Sequence, residues 1–107
     1  MQSLSPSELH QRIEQGQAQI MVLDIRESWE VQLARLECSV LAPMSTLSAR
    51  IVDELPDDKD IVVLCHHGVR SAMVTQWLEQ NGVKRVFNLS GGIDAWSLTV
   101  DPNLPRY

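Results

Sequence analysis

The sequence predicts an α/β domain: a mostly parallel sheet of four or five strands with helices on both faces. Two observations carry this. Residues 19–25 (QIMVLDI) and 61–64 (IVVL) are short, nearly continuous apolar runs, the pattern of strands buried on both faces. Segments with helix start and stop residues alternate with such runs, the order that joins parallel strands through crossover helices. At 107 residues the chain fits a single domain, residues 1–107, with an extended tail at about 99–107.

The first helix opens at Ser5, an N-cap, with Pro6 suited to the first helical position and Glu8 completing a capping box. Leu9 and Ile13 share a face, and Gly16 ends the segment. Residues 19–25 form a strand, 27–33 a short helix and 39–42 a short strand closed by Pro43. Helical spacing is weaker over 44–55, where Leu47, Ile51 and Leu55 recur every fourth residue. After a polar turn at 56–60, Ile61, Val62, Val63 and Leu64 make the strongest buried strand. Val69, Ala72, Met73 and Trp77 then mark a helix face, which Asn81-Gly82 stops. Residues 86–89 (VFNL) form a strand, Gly91-Gly92 a tight turn and 93–98 a short helix. Prolines at 102 and 105 favour an extended tail. Trp77 and Trp96 read as core aromatics, Trp29 as surface packing, and Met21, Met44 and Met73 as space-filling residues.

Composition narrows function. With 44% hydrophobic and 21% charged residues the chain is ordinary for a folded protein. A formal net charge of −5 gives no electrostatic support for nucleic-acid or anionic-membrane binding. Residues 1–8 lack a basic region followed by an apolar run, and no stretch approaches the roughly 20 apolar residues of a membrane span. A soluble cytoplasmic protein with reduced thiols is therefore expected, as a monomer or weak dimer. Two cysteines, Cys38 and Cys65, are too few for a disulfide scaffold. Because Cys65, His66 and His67 are contiguous, no zinc-ligand spacing is present.

Residues 61–71 (IVVLCHHGVRS) set Cys65 between a buried strand and a helix, at the sheet end where α/β chemistry collects. A free thiol, with a pKa near 8.5, is mostly protonated at neutral pH. A helix amino terminus favours the anion through its unpaired N–H groups. Gly68 permits torsions that let successive N–H groups converge on one point. Arg70, in the first helical turn, opposes the dipole there and needs a specific reason: donor contact, or a tie to Asp24 or Glu27. Cys38 reads as a small packed hydrophobe.

Cys65-His66-His67-Gly68-Val69-Arg70-Ser71 resembles the Cys-x-x-Gly-x-Arg-Ser loop of single-domain rhodaneses. Asp24, Arg26 and Glu27 resemble that family's Asp-x-Arg-Glu stretch, Ala42-Pro43 its apolar residue and Pro after the second strand, and Gly91-Gly92 with Ala95-Trp96 its Gly-Gly-x-x-Ala-Trp stretch. The likeness runs from about Leu4 to Trp96. It departs at 34–39 (ARLECS), where the family usually has Gly-His-Ile-Pro-Gly-Ala.

The resemblance implies a rhodanese-like fold and a sulfurtransferase without metal or organic cofactor. Cys65 would take the outer sulfur of a small anionic donor such as thiosulfate and pass it from a persulfide to cyanide, a cellular thiol or a protein acceptor. His66, His67, Gly68, Val69, Arg70 and Ser71 would form the substrate loop, with Asp24 and Arg26 supporting it. One alternative is a sulfur-relay or binding module acting with a protein partner. Another is a cysteine phosphatase or arsenate reductase. Related phosphatases use Cys-x5-Arg, and this chain has the shorter Cys-x4-Arg.

Overall fold

The computed structural model describes residues 1–16, 19–37 and 39–107. The chain runs β1 (Gln2–Leu4), α1 (Pro6–Glu14), β2 (Ile20–Asp24), α2 (Ser28–Leu33), β3 (Val40–Leu41), a 3-10 turn (Met44–Thr46), α3 (Arg50–Glu54), β4 (Asp60–Leu64), α4 (Val69–Gln80), β5 (Val86–Leu89) and α5 (Gly92–Thr99). The five strands form one sheet of order β1-β5-β4-β2-β3, and every neighbouring pair is parallel. As expected, β4 is central: Val62 stands beside Val22 and Phe87, and Val63 beside Leu23 and Asn88.

Side chains alternate across the sheet and divide the core in two. Val22, Val62, Leu64 and Leu89 face Leu9 of α1 and Ile93 and Trp96 of α5. Leu23, Ile61, Val63, Cys65 and Val86 face Leu55 and the α4 residues Val74 and Leu78. This places α1 and α5 on one face and α4 on the other. Because the strands are all parallel, the loops leaving their carboxyl ends share one edge of the sheet.

Local signals set most boundaries. Ser5 and Glu8 make the reciprocal bonds of a capping box at 3.1 and 3.0 Å. The tripeptide at β1 carries only one buried residue, Leu4, too little pattern to announce a strand. Helical spacing over 44–55 resolves into two short pieces, separated where Leu47 is extended.

Two expected faces are corrected. Ile13 is exposed, so α1 buries Leu9 and Pro6 instead. In α4, Val69 and Met73 are exposed, and the buried face is Ser71, Val74, Thr75 and Leu78. Apolarity misled here because two hydroxyls turn inward for specific bonds: Thr75 donates to the Ser71 carbonyl at 2.7 Å, and Ser71 serves the loop described below. The tail also bends: the Leu104 N–H donates to the Asp101 carbonyl at 3.1 Å, and Tyr107 returns to the carboxyl edge of the sheet. No helix among the described residues is long and apolar enough to cross a membrane.

Candidate active site

Strand β4 ends directly at Cys65, which is 1% exposed. Its Sγ accepts the Gly68 N–H at 3.1 Å and the Ser71 N–H at 3.3 Å, and lies 3.2 Å from the Ser71 hydroxyl. The first turn of α4 thus directs an otherwise unpaired donor at sulfur, as helix amino termini do for anions. Ser71 is held by its hydroxyl bond to Asn88 Oδ1 of β5, and Asn88 also donates to the Gly68 carbonyl at 3.4 Å. Asn88 is a site residue the sequence did not single out. Its signal was a polar side chain within an otherwise apolar strand.

The loop carbonyls are held on the opposite side. Ile93 and Asp94, in the first turn of α5, donate their N–H groups to the Cys65 and His66 carbonyls at 2.9 and 3.1 Å. In a trans peptide the C=O and the following N–H point in opposite directions. The His66 and His67 N–H groups therefore point away from α5. Two glycines make this approach possible. Gly68 has φ +95°, and a Cβ there would lie 3.0 Å from the Gly91 nitrogen. Gly92 has φ +63°, and a Cβ would lie 2.4 Å from both the Cys65 and His66 carbonyl oxygens.

Arg70 is fixed, but not by the partners expected. Neither Asp24 nor Glu27 holds it: its guanidinium grips Glu30 in two bonds of 2.7 Å. Asp24 is committed to Arg26, and Glu27 caps Ser45 of the 3-10 turn. Glu30 also accepts the Glu27 N–H and the Tyr107 hydroxyl, at 3.0 and 2.9 Å. Arg70, with these contacts, holds the Glu30 carboxyl down from its ordinary value of 4.5 to about 2. Glu30 and Tyr107 were not read as site residues. For Glu30 the signal was the Glu27–Glu30 capping-box spacing, and Tyr107 left none.

Asp24 and Arg26 pair with each other, both with fully buried side chains. Arg26 donates to the two Asp24 oxygens at 3.0 and 2.8 Å, to the Ala34 carbonyl at 2.8 Å and to the Tyr107 hydroxyl at 3.2 Å. The divergent segment at 34–39 therefore still supplies a structural contact, and Leu36 of that segment is buried in the core. Cys38 lies outside the described residues.

His66 is half-buried and stacked on Tyr107, with ring centroids 3.9 Å apart. Burial, followed by the neighbouring His67, pushes its pKa down, so His66 is a poor imidazolium; His67 and Val69 are exposed at the loop's rim.

The Glu30 shift has a pH consequence. A carboxyl whose folded pKa is depressed gives stability that is complete above its unfolded value and lost as pH falls toward its folded value. The Arg70–Glu30 tie should therefore weaken between about pH 4.5 and about pH 2. Thermal melts across that range should show a steeper acid loss for the natural protein than for Glu30→Gln. Equal slopes would place the acid sensitivity elsewhere.

The chain matches the rhodanese-like domain description over residues 5–99. It is 35% identical, over its full length, to the rhodanese-like/PpiC domain-containing protein 12 of Arabidopsis thaliana, a chloroplastic protein of which it spans 38%. It is 36% identical over 73% of its length to a protein of Allochromatium vinosum named sulfurtransferase, spanning 72% of that relative. The structure superposes with a TM-score of 0.80 on a rhodanese-related protein from Thermoplasma volcanium, at 30% identity, covering 98% of this chain and 96% of the other. Sequence, loop geometry and fold agree, and the chain belongs to the rhodanese-like domain family.

Proposed function

We propose that the protein is a sulfurtransferase that moves a sulfane sulfur from thiosulfate, or a similar small anionic donor, to a thiophilic acceptor through a persulfide on Cys65. The observation that carries the reading is the sulfur atom itself: Cys65 Sγ is met by two backbone N–H groups inside a loop closed by the Arg70–Glu30 pair. Donors fixed before reaction favour the negative sulfur at little reorganisation cost. The name of the Allochromatium relative points to the same chemistry.

In the first half-reaction the Cys65 thiolate attacks the outer sulfur of thiosulfate. The new S–S bond forms as the old one breaks, and sulfite leaves with the bonding pair. In the second, cyanide or a thiol takes the outer sulfur and the electron pair returns to Cys65 Sγ. No metal or organic cofactor enters these steps. Gly68 and Ser71 N–H groups hold the sulfur anion. In this reading His67, exposed beside the loop, meets the anionic donor. Arg70 acts as a positioning residue, since both its terminal nitrogens are engaged by Glu30.

Loop length separates this reading from phosphatase chemistry. A phosphoryl group presents three oxygens that need donors, and four residues between Cys65 and Arg70 make a smaller ring than the five of related phosphatases. Each charge-assisted contact left unmade costs roughly 1.5–3 kcal/mol, about ten- to a hundredfold in binding.

The test is thiosulfate:cyanide turnover beside aryl-phosphate hydrolysis. We expect thiocyanate from the natural protein, none above background from Cys65→Ser, and negligible phosphate release from either. Efficient aryl-phosphate cleavage through Cys65, without sulfur transfer, would overturn the proposal.

A further inference from the structure

We propose that His66, His67 and Asp94 form a binding site for a zinc-class divalent cation at the rim of the Cys65 loop. Adjacent histidines have no zinc-ligand spacing along the chain. The fold supplies the third donor by bringing the first turn of α5 onto the loop. One ligand-capable atom from each residue lies within 4.8 Å of the others, and among the described residues this is the one such group. Ligands about 2.0–2.2 Å from a tetrahedral metal stand roughly 3.4 Å apart. The cluster must therefore close by up to about 1.4 Å, through side-chain rotation of exposed His67 and half-buried Asp94.

A second observation concerns the same ring. His66 Nε2 is buried and has no hydrogen-bond partner, the one such side-chain nitrogen or oxygen among the described residues. Buried polar atoms are ordinarily satisfied, so this one calls for a partner. The ring is also held in place, stacked on Tyr107 with centroids 3.9 Å apart. His66 is tied further through its carbonyl, which accepts the Asp94 N–H at 3.1 Å.

One group competes for the site. Arg106 donates to the two Asp94 oxygens at 2.8 and 3.3 Å, but its side chain is 56% exposed and free to swing into solvent. An exposed ion pair of this kind is weak and yields to a better partner. Two imidazoles and one carboxylate suit zinc or cobalt over magnesium or calcium, which prefer all-oxygen shells. With three protein donors, a fourth coordination position stays open to water or a small anion. The Cys65 sulfur is not one of the three.

The experiment titrates the full chain with CoCl2 by absorption spectroscopy and with ZnCl2 by calorimetry. We expect one cobalt ion per chain, visible d–d bands without a thiolate charge-transfer band, and displacement of cobalt by zinc. Asp94→Asn and His67→Gln should each weaken binding about ten- to a hundredfold. Arg106→Ala, which removes the competitor, should tighten it. His10→Asn, which removes the remaining histidine, should leave it within about twofold. Cys65→Ser should retain the metal although it ends sulfur transfer, so the two proposals fail independently. Binding that is absent below millimolar metal, is lost with Cys65→Ser, or is unchanged in Asp94→Asn would overturn the site.

Discussion

Asp24→Ala is expected to destabilise the fold by about 3–5 kcal/mol. Arg26 is fully buried, and Asp24 satisfies three of its N–H groups, counting the backbone, at 2.8–3.1 Å. Removing the carboxylate leaves a guanidinium charge inside the protein with only two carbonyls and a tyrosine hydroxyl for company. A domain of this size has a total stability of roughly 5–15 kcal/mol, so much of the margin would go. At about 4–8 °C per kcal/mol, the melting temperature should fall by roughly 12–40 °C. Replacing both partners with apolar residues, Asp24→Leu with Arg26→Met, should recover much of that loss, because no buried charge remains unpaired. Chemical denaturation of the three proteins checks this. A loss below about 1 kcal/mol in Asp24→Ala would mean that water reaches Arg26.

Gly92→Ala should be nearly as damaging, and it should strike the loop first. The residue sits at φ +63°, and its missing Cβ would fall 2.4 Å from two loop carbonyls. A left-handed alanine costs about 1–2 kcal/mol before any clash. The clash cannot be relieved by a side-chain rotation, because both atoms it meets are backbone. Either α5 moves out, breaking the Ile93 and Asp94 bonds to the loop, or the Cys65–His66 peptides turn. We expect a loss of about 2–4 kcal/mol and at least a tenfold drop in sulfur transfer. Gly82→Ala serves as the control: it also has positive φ, but nothing lies within 4 Å of its Cβ position and it is far from the loop in sequence. Activity should survive there even if stability falls slightly. Full turnover in Gly92→Ala would show that the α5 contact does not shape the loop.

These two residues show what the sequence could and could not convey. β4 and its Cys65 loop were legible because an apolar β-branched run followed by glycine and a helix is a local pattern. The five parallel strands followed from the alternation of such segments, apart from β1, whose three residues carry one buried side chain. The face of α4 was misread because Ser71 and Thr75 are buried for their hydroxyls, a reason that only tertiary partners reveal. The Arg70 partner was expected among acids of the right region, yet choosing Glu30 over Asp24 required knowing that Arg26 already occupies Asp24. Tyr107 and Asp94 were beyond reach, since each meets the loop by a path through space that no spacing encodes.

The most direct test of the central claim is the intact mass of the protein after treatment with thiosulfate, followed by a thiol challenge. Transfer of one sulfur adds about 32 Da by covalent chemistry at a nucleophilic cysteine. The account predicts that increment on the natural protein, its location at Cys65 by peptide mapping, its absence from Cys65→Ser and its loss on adding thiol. An increment that persists in Cys65→Ser, or a natural protein that takes up no sulfur from any sulfane donor, would contradict it.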